Sequence, residues 1–404
     1  MPQKPDTVYL VDGLRTPYLT SHDSTHTLSS ADLLTSLSQQ FLIRQPFLAG
    51  DLDAVFVASS TPVQFENLAY TLTKRLHSNA SPYYFTANGP LTGNLALSEA
   101  IHKISHQQQQ LILVGGVDTF PLPKRETTGL TTPNAMGDLL KKMHPVQSLV
   151  EQLTGDTKTA DTNPALVEHA EKLAMQHLIS PDQMSEYAQL SRRRLQYAQR
   201  NNLLKMITPL YYPNTNIQKS DHSVSAGLTQ HHHKDGLQLL SDDALPVHAN
   251  AACSALIASG SAVKHYNLPV LATLTAPTFS RTQNLPLENV DNTPNSAVAE
   301  LLDSHQLSMN DIDYWEYHES SAADILVAKQ CADKSTFSSM KNVNIDGGSL
   351  ALGSAPCTNV FREIVQLAHI LKRKKGTYGI ATASSTDQHS FAVLLKASQE
   401  NIHE

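Results

Sequence analysis

The sequence predicts an α/β protein built from two similar halves, and three observations predict it. Strand and helix patterns alternate over the first 120 of the 404 residues. The same order of patterns returns between residues 266 and 404. An acidic pair introduces a buried strand at the same place in each half, in "GDLDAVFVASS" and "NDIDYWEYHES". Alternation of this kind indicates a mainly parallel sheet covered by helices, and the recurrence indicates an internal duplication.

The first half can be assigned element by element from residue pattern. A β-branched and aromatic run before Gly13 predicts a strand, and a serine cap followed by leucines at helical spacing predicts the first helix. Pro90 is well placed for the first turn of a later helix, where a missing N–H costs little. The elements run in the order strand "TVYLVDG", helix "SSADLLTSLSQQFL", strand "DAVFVAS", helix "FENLAYTLTKRL", strand "PYYFTAN", helix "PLTGNLALSEAIHKI" and strand "QQLILVGGVDT".

The second half repeats this order after a polar middle segment. Its glycine-rich stretch "GGSLALGSAPC" is expected to bring backbone close to a ligand and to lead into a helix that ends near Lys374. The elements are strand "LPVLATLTA", helix "NSAVAELLDSHQL", strand "NDIDYWEYHE", helix "SAADILVAKQCA", the glycine-rich stretch with its helix, and strands "TYGIATAS" and "SFAVLLKA".

The middle of the chain predicts an inserted, mainly helical loop subdomain. Two helical patterns are followed by a polar stretch at 211–238 that is too long for an ordinary connection. His231, His232 and His233 are adjacent within it, and neighbouring side chains rarely converge on one ion, so we expect a solvated loop and no metal site. The predicted domains are 1–120, completed by about 247–265, then 121–246 and 266–404.

Composition places the chain among ordinary globular proteins. Hydrophobic residues make up 40% of it, charged residues 17%, and the net charge is −7. No apolar run reaches the roughly 18 residues of a membrane span, and no dense basic patch suggests nucleic acid as a partner. The N-terminal pattern does not resemble a secretory signal, so we expect a cytoplasmic protein. The three cysteines, Cys253, Cys331 and Cys357, have no paired spacing and are expected to be reduced thiols.

Several short motifs together resemble the thiolase family, whose members cleave or form 3-ketoacyl-CoA. The matching segments are "VDGLRTP", "LVGGVDT", "HESSAADIL", "GGSLALG" and "YGIATAS". The resemblance covers nearly the whole chain and is closest to the thiolase subunits of fatty-acid oxidation complexes. It implies two duplicated βαβαβ halves in a layered α/β/α/β/α arrangement. It also implies a homodimer or tetramer, for which "QQLILVGGVDT" would supply an edge strand, and suggests a fatty-acid oxidation complex as a partner.

The residues that carry thiolase chemistry are replaced in this sequence. Pro90 in "PLTG" stands where the family has its cysteine nucleophile, and proline also lacks the backbone N–H of that position. Ser354 in "GSAPC" replaces the histidine that activates the nucleophile. Ser384 in "SSTDQ" replaces a proton-shuttling cysteine, and residues 386–388 replace three glycines. Of the catalytic positions, only His318 keeps a residue type that the family uses.

Other residues are candidates to substitute for the lost groups. Cys357 lies three residues after Ser354, and we favour a buried, inert thiol over a relocated nucleophile. Thr92 and Ser384 are candidate hydroxyl nucleophiles with His318 as their base, but hydroxyls react at neutral pH only when a base is well aligned.

The resemblance also implies substrate-binding positions. Asn250 and Ala252 lie in "NAAC", which matches a segment that touches the pantetheine arm of coenzyme A in the family, with its hydroxyl missing here. Gly348 and Gly353 lie in the glycine-rich stretch, where backbone would approach the ligand. The expected ligand is coenzyme A or an acyl-CoA, without a further cofactor.

Two functions remain open from the sequence. The first is a thiolase-like protein that has lost thiolysis and condensation and serves as a non-catalytic acyl-CoA-related binding, regulatory or structural subunit. The second is an active CoA-dependent acyltransferase or thiolase-like enzyme with a relocated or non-cysteine nucleophile.

Overall fold

The helices and strands follow the predicted order through both halves. The computed structural model of the chain describes residues 6–20, 28–60, 67–86, 89–120, 163–211, 217–222, 239–281, 294–332, 335–387 and 389–398. The helices are α1 (Ser30–Leu42), α2 (Leu68–Arg75), α3 (Thr92–Ser105), α4 (Pro164–Gln176), α5 (Pro181–Arg200), α6 (Gly260–His265), α7 (Ser296–His305), α8 (Ala322–Cys331), α9 (Ser349–Leu352) and α10 (Pro356–Lys374).

The strands form one large sheet and a small separate pair. They are β1 (Val8–Arg15), β2 (Leu19–Thr20), β3 (Ala54–Ser59), β4 (Ser81–Thr86), β5 (Leu111–Asp118), β6 (Leu210–Tyr211), β7 (Ile217–Gln218), β8 (Ala249–Ser259), β9 (Ala272–Leu274), β10 (Thr278–Arg281), β11 (Tyr314–Tyr317), β12 (Tyr378–Ser384) and β13 (His389–Ala397). The order in the large sheet is β11-β12-β13-β9-β1-β8-β5-β3-β4.

Parallel pairing occurs at both ends of the large sheet and antiparallel pairing at its centre. Helices connect the strands of the parallel pairs β3/β4, β3/β5 and β11/β12, as the alternating pattern predicts. The pairs that involve β1, β8, β9 and β13 are antiparallel. A connection as short as the one between β12 and β13 leaves no length for a crossover, so the sheet as a whole is mixed.

Helices occupy the layers that the resemblance implies. α10 contacts α3, β5 and β8 on one side and β11 and β12 on the other, so α3 and α10 lie between the two halves of the sheet. α1, α2 and α6 cover the outer face of the first half, and α7 packs on β13 of the second. This is the predicted α/β/α/β/α order. α4 and α5 pack against α8, so these helices of the inserted segment lie on the second half.

The acidic pairs that first indicated duplication have the same structural role in both halves. A carboxylate oxygen of Asp53 accepts hydrogen bonds from the first backbone N–H of β5 at 2.9 Å and from the residue before it at 2.7 Å. A carboxylate oxygen of Asp313 accepts the equivalent pair at the start of β12, at 3.1 and 2.7 Å. In each half the preceding acid, Asp51 or Asp311, caps a short 3₁₀ helix. Each pair therefore fixes the start of the strand that runs beside its own.

The prediction that β5 is an edge strand is wrong. β5 lies between β3 and β8, and the free edge of the first half belongs to β4. The reason is long-range, because β8 reaches β5 only after the whole inserted segment. Among the described residues, no helix combines the length and the apolar character that crossing a membrane requires.

Candidate active site

Pro90, which the sequence matches to the family nucleophile, lies at the entrance to α3. Pro90 is the middle residue of a 3₁₀ turn, Gly89–Leu91, that ends where α3 begins. Because proline has no backbone N–H, this turn presents one donor fewer than another residue would provide. The hydroxyl of Thr92, completely buried, donates to the carbonyl of Gly89 at 2.7 Å. Thr92 therefore closes the turn on which Pro90 lies.

The thiol of Cys357 lies against this entrance. Cys357 is the second residue of α10, and its side chain is completely buried. It is within hydrogen-bonding reach of the hydroxyls of Thr92 and Ser60 and of the carboxyl group of Asp118. Burial, reinforced by the nearby Asp118 charge, raises the pKa of this thiol well above its usual value. The sequence expectation of a buried cysteine is confirmed, and the thiol is protonated at neutral pH.

Asp118 joins three elements at this point, and sequence reasoning did not single it out. As the last residue of β5 it accepts hydrogen bonds from the Thr358 backbone N–H at 3.0 Å and from the Thr358 hydroxyl at 2.9 Å. Its second oxygen accepts from the Ser60 backbone N–H at 3.3 Å and from the Ser60 hydroxyl. Burial nevertheless raises the pKa of Asp118. An acidic residue closing a fully buried strand was the available sequence signal.

Two glycines allow α10 to begin this close to its neighbours. A methyl group added at Gly93 of α3 would lie 2.3 Å from the carbonyl oxygen of Cys357, and one added at Gly116 of β5 would lie 2.1 Å from the same atom. Both contacts are with backbone, which cannot rotate away as a side chain can. The first turn of α10 is therefore packed against the backbones of α3 and β5.

His318 is fixed by the side of α10 that faces β11. Its Nδ1 atom lies 3.3 Å from Oε1 of Glu363 and 3.4 Å from Nδ2 of Asn359, and its backbone N–H donates to the carbonyl of Thr382 at 2.9 Å. The hydroxyl of Tyr18 donates to Oδ1 of Asn359 at 3.0 Å. The hydrogen bonds described for the imidazole thus run to α10, and the structure describes none to the Thr92 or Ser384 hydroxyls.

Ser384 belongs to a separate cluster at the end of β12. Its hydroxyl lies 3.4 and 3.5 Å from the two carboxylate oxygens of Asp324 and 3.5 Å from the hydroxyl of Tyr317. The Ser320 hydroxyl donates to Asp324 at 2.8 Å, and burial raises the pKa of Asp324. The geometry gives Ser384 a carboxyl neighbour in place of the expected histidine.

Ser354 is held by its backbone between α9 and α10. Its N–H donates to the carbonyl of Val247 at 2.7 Å, and its own carbonyl accepts from the N–H of Ala249 at 2.9 Å. The preceding Gly353 has φ of +95°, and a methyl group added there would lie 2.8 Å from Cβ of Ala249. Gly353 is therefore needed for the turn that brings Ser354 beside the start of β8.

Gly348 makes room for a buried carboxylate that sequence reasoning also missed. Glu319 has no exposed surface, and its oxygens accept from the Tyr187 hydroxyl at 2.7 Å, from Nδ2 of Asn344 at 2.8 Å and from the Leu350 N–H at 2.8 Å. A methyl group added at Gly348 would lie 2.3 Å from Cδ of Glu319. In this structure Gly348 approaches the chain's own carboxylate, which binds α5 to α9.

The two candidate substrate-binding residues on β8, Asn250 and Ala252, differ in exposure. Asn250 is partly exposed, and its Oδ1 accepts from the N–H of Phe120 at 2.7 Å. The side chain of Ala252 is completely buried in the outer core between β8 and α1, and its contact with substrate stays a prediction. Successive side chains of a strand point to opposite faces of the sheet. Ala251 and Cys253 face the inner core with α10, so Ala252 faces the outer core on the opposite side.

A buried charge network continues behind His318. Arg362 lies 3.2 Å from Oε2 of Glu316 and 3.0 Å from Oε1 of Glu363, and Gln366 donates to Glu316 at 3.1 Å. Burial raises the pKa of Glu316 to about 8, although Arg362 acts in the opposite direction. The folded protein therefore holds a proton on Glu316 that the unfolded chain has released near neutral pH.

This proton predicts a pH dependence of stability. The unfolded carboxyl loses its proton near its ordinary pKa of 4.5, so the Glu316 contribution is fully present below that pH and is lost as the pH rises towards 8. We expect Glu316→Gln, which cannot titrate, to gain stability relative to the wild type across this window. Urea unfolding at several pH values measures the difference, with the exposed Glu168→Gln as control. A difference that does not change with pH would count against the proposed protonation.

Comparison with known proteins identifies the family. The profile of the thiolase N-terminal domain matches residues 8–262, and the profile of the thiolase C-terminal domain matches residues 270–397. The chain belongs to the thiolase family. The mitochondrial trifunctional enzyme subunit beta of Bos taurus is 22% identical over 426 residues, which cover 96% of this chain and 88% of that protein.

Solved thiolases share the fold of this family member. Human mitochondrial 3-ketoacyl-CoA thiolase in complex with CoA has a TM-score of 0.75 and 20% identity, with 98% of each chain covered. Bacillus anthracis acetyl-CoA acetyltransferase has a TM-score of 0.77 and 19% identity, with 98% of this chain and 100% of that chain covered. At these identities the likeness concerns the fold.

In this thiolase-family protein, the hydrogen bonds divide the candidate residues into three groups. Thr92 and Cys357 are within hydrogen-bonding reach of each other, His318 lies beside Glu363 of α10, and Ser384 lies beside Asp324. His318 is nevertheless near enough to Asp324 to oppose electrostatically the effect of burial on the pKa of that carboxyl group. Within the described ranges, no three histidine, cysteine or acidic side chains form a metal-binding group. The histidines at 231–233 lie outside the described residues.

Proposed function

We propose that this thiolase-family protein does not catalyse thiolysis or Claisen condensation and acts as a non-catalytic, acyl-CoA-related binding, regulatory or structural subunit. One observation carries the proposal: burial raises the pKa of each of the three cysteines of the chain. The pKa of Cys253 rises to about 12, that of Cys331 is raised, and that of Cys357 lies well above its usual value. Thiolysis requires a thiolate at neutral pH, and these thiols are protonated there.

The replacements at the other catalytic positions support the same proposal. Pro90 offers neither a nucleophile nor an N–H, Ser354 cannot act as a base as histidine does, and Ser384 lies beside a carboxyl group. Loss of a single positioned acid, base or oxyanion donor commonly costs about 10²- to 10⁴-fold in rate. Three losses at independent positions are difficult to reconcile with a retained reaction.

The purified protein is therefore expected to show no CoA-dependent cleavage of acetoacetyl-CoA or of longer 3-ketoacyl-CoA substrates. The assay follows loss of the 3-ketoacyl-CoA enolate absorbance, with an active thiolase as positive control and Cys357→Ser and His318→Ala as variants. Turnover that either variant abolishes would overturn the proposal. Turnover that survives both variants is examined further in Thr92→Ala and Ser384→Ala, and its loss in either would also overturn the proposal.

The relocated-nucleophile alternative rests on a specific observation. Cys357 lies at a helix N-terminus within reach of Thr92, and Asp118 is a carboxyl group close enough to receive its proton. An acyl-transfer role requires the first turn of α10 to open, since the thiol has no exposed surface. An acyl adduct on Cys357, identified by mass spectrometry, would favour this alternative over the first.

Coenzyme A or an acyl-CoA is the ligand that we propose for this chain. Membership of the thiolase family and the CoA complex of the human thiolase support this proposal. Asn250 supports it as well, because it is partly exposed and is the one matched residue of "NAAC" that retains a polar group. Isothermal titration with CoA and with acetyl-CoA tests it, with Asn250→Ala as the variant expected to weaken binding. The cytoplasmic location stays a prediction.

We also propose a homodimer formed through β4. This strand ends the large sheet, and β3 is its only neighbour among the described strands. Tyr83 and Phe85 are partly buried and stack on Phe56 at 4.4 and 5.9 Å, so the edge is extended and aromatic. A second copy related by a twofold axis would add β4 to β4 in antiparallel register.

Charge substitutions at the ends of β4 test this interface. With the axis at Tyr84, Pro82 of one copy lies opposite Thr86 of the other, and both side chains are exposed in the single chain. Pro82→Lys with Thr86→Lys places like charges opposite each other and is expected to give monomers. Pro82→Glu with Thr86→Lys places opposite charges there and is expected to leave the dimer intact. Light scattering after size exclusion measures the mass of each variant in solution, and equal masses for the two variants would refute this interface.

Association with a partner of a fatty-acid oxidation complex is a further part of the proposal. It rests on the likeness to a trifunctional enzyme subunit beta. Affinity capture of the protein from its native cells, followed by size exclusion, tests whether it elutes as a larger complex.

A further inference from the structure

A cavity lies at the end of α10 far from the candidate active site. Its volume is about 620 Å³, and it is lined by the C-terminal end of α10, the segment from α6 to β9 and the end of β13. Cys357 and Lys372 are fifteen residues apart on α10. At about 1.5 Å per helical residue, this separates the cavity from the Cys357 thiol by about 22 Å. The catalytic positions of the family therefore do not account for it.

Three lysines converge on this cavity from two elements. Lys264 comes from the last turn of α6, Lys372 from the last turn of α10, and Lys375 caps α10 with φ of +57°. The lining includes no acidic residue. Within the described ranges, the ion pairs involve none of these lysines, all of which are exposed.

Helix dipoles and one nearby carboxylate balance only part of this charge. The C-terminus of a helix carries a partial charge of about −0.5, so the ends of α6 and α10 together supply about −1 against three lysines. The carboxylate of Asp313, which accepts the backbone N–H of Thr377 in the lining at 2.7 Å, supplies one further negative charge. The lysines still leave an excess of about one positive charge at the cavity, which favours an anionic ligand.

The other part of the lining is apolar. Val263, Leu268 and Leu371 form its buried floor, with Pro269, Val270 and Leu271 beside them. The volume is in the range of about 300–1,000 Å³ typical of small-molecule pockets. An inorganic anion would leave this apolar surface empty, and a purely apolar molecule would leave the lysines unpaired.

We propose that this cavity binds an organic phosphate that joins an apolar body to an anionic phosphate group. The apolar body lies on Leu268 and its neighbours, and the phosphate contacts Lys264, Lys372 and Lys375. The site requires neither acyl transfer nor a thiolate, so it stands independently of the function proposed above.

Titration calorimetry with hexyl phosphate tests the site, with hexanol and inorganic phosphate as probes that each lack one half of the ligand. We expect saturable binding of hexyl phosphate, and binding of either partial probe at least about tenfold weaker, a difference of about 1.4 kcal/mol. Lys264→Gln with Lys372→Gln is expected to weaken hexyl phosphate binding about tenfold or more. Lys205→Gln, an exposed lysine outside the cavity, is the matched control and is expected to change nothing.

Three results would overturn the assignment. The first is the absence of hexyl phosphate binding at about 1 mM, which is the weak end of specific affinities. The second is binding of hexyl phosphate that is no tighter than binding of hexanol. The third is an unchanged affinity for hexyl phosphate in the double lysine variant. Because these lysines are exposed, the variants are expected to fold, and circular dichroism verifies this.

Discussion

Gly116→Ala is expected to lower the free energy of unfolding by about 3 kcal/mol or more. The added methyl group would lie 2.1 Å from the carbonyl oxygen of Cys357, 2.6 Å from its carbonyl carbon and 3.0 Å from Cα of Thr358. All three atoms are backbone, so relief requires β5 or the start of α10 to move. Moving α10 would also disturb the hydrogen bonds between Asp118 and Thr358.

Gly50→Ala is the matched control for this substitution. Nothing lies within 4 Å of a methyl group added at Gly50. A surface change of this kind is expected to alter stability by no more than about 0.5 kcal/mol. Urea unfolding of both variants measures the difference. Equal stability of the two would mean that the close packing of α10 on β5 is wrong, whereas loss of soluble Gly116→Ala protein agrees with it.

Asp221→Ala is expected to cost about 3–5 kcal/mol, because it leaves a buried arginine without its partner. Asp221 forms a two-point ion pair with Arg15 at 2.5 and 2.8 Å and accepts the Tyr18 N–H at 2.9 Å. The side chains of both Arg15 and Asp221 have no exposed surface. The pair ties the end of β1 to the inserted segment, next to the hydrogen bond from Tyr18 to Asn359, whose amide nitrogen in turn lies beside His318.

A double variant that removes both charges tests this ion pair. Arg15→Met with Asp221→Leu removes both charges and is expected to cost less than Asp221→Ala alone, since no charge is then left unpaired. Glu99→Gln disrupts the exposed pair with Lys103, whose side chains are 41% and 23% exposed, and is expected to cost less than about 0.5 kcal/mol. A similar cost for Asp221→Ala and Glu99→Gln would contradict the buried geometry.

Local pattern predicted the elements and their duplication because each element carries its own signal. Asp51 and Asp311 cap local turns, and Asp53 and Asp313 accept hydrogen bonds at the start of the neighbouring strand. Because the two pairs have the same structural roles, the same residue pattern occurs in both halves. The wrong assignment of β5 to an edge had a long-range cause. The sequence of β5 contains no signal that β8, more than 130 residues later, pairs with it.

Motif matching proposed catalytic positions but could not predict the groups that surround them in the structure. Asp118, Glu319, Asp324 and Glu363 each have hydrogen-bond partners that include residues distant in sequence, such as Thr358 for Asp118 and Tyr187 for Glu319. Spacing along one segment cannot show such contacts. The same limit applies to the burial of Ala252, because the sequence of β8 does not show which core each face of the strand packs against.

The central claim is that the chain has no reactive nucleophile where the family has its cysteine. Intact-protein and peptide mass spectrometry after incubation with acetyl-CoA and acetoacetyl-CoA test it most directly, with an active thiolase treated in parallel. We predict an unchanged mass for this protein and an acetyl adduct on the control enzyme. A stoichiometric acyl adduct on Cys357, Thr92 or Ser384 would contradict the claim.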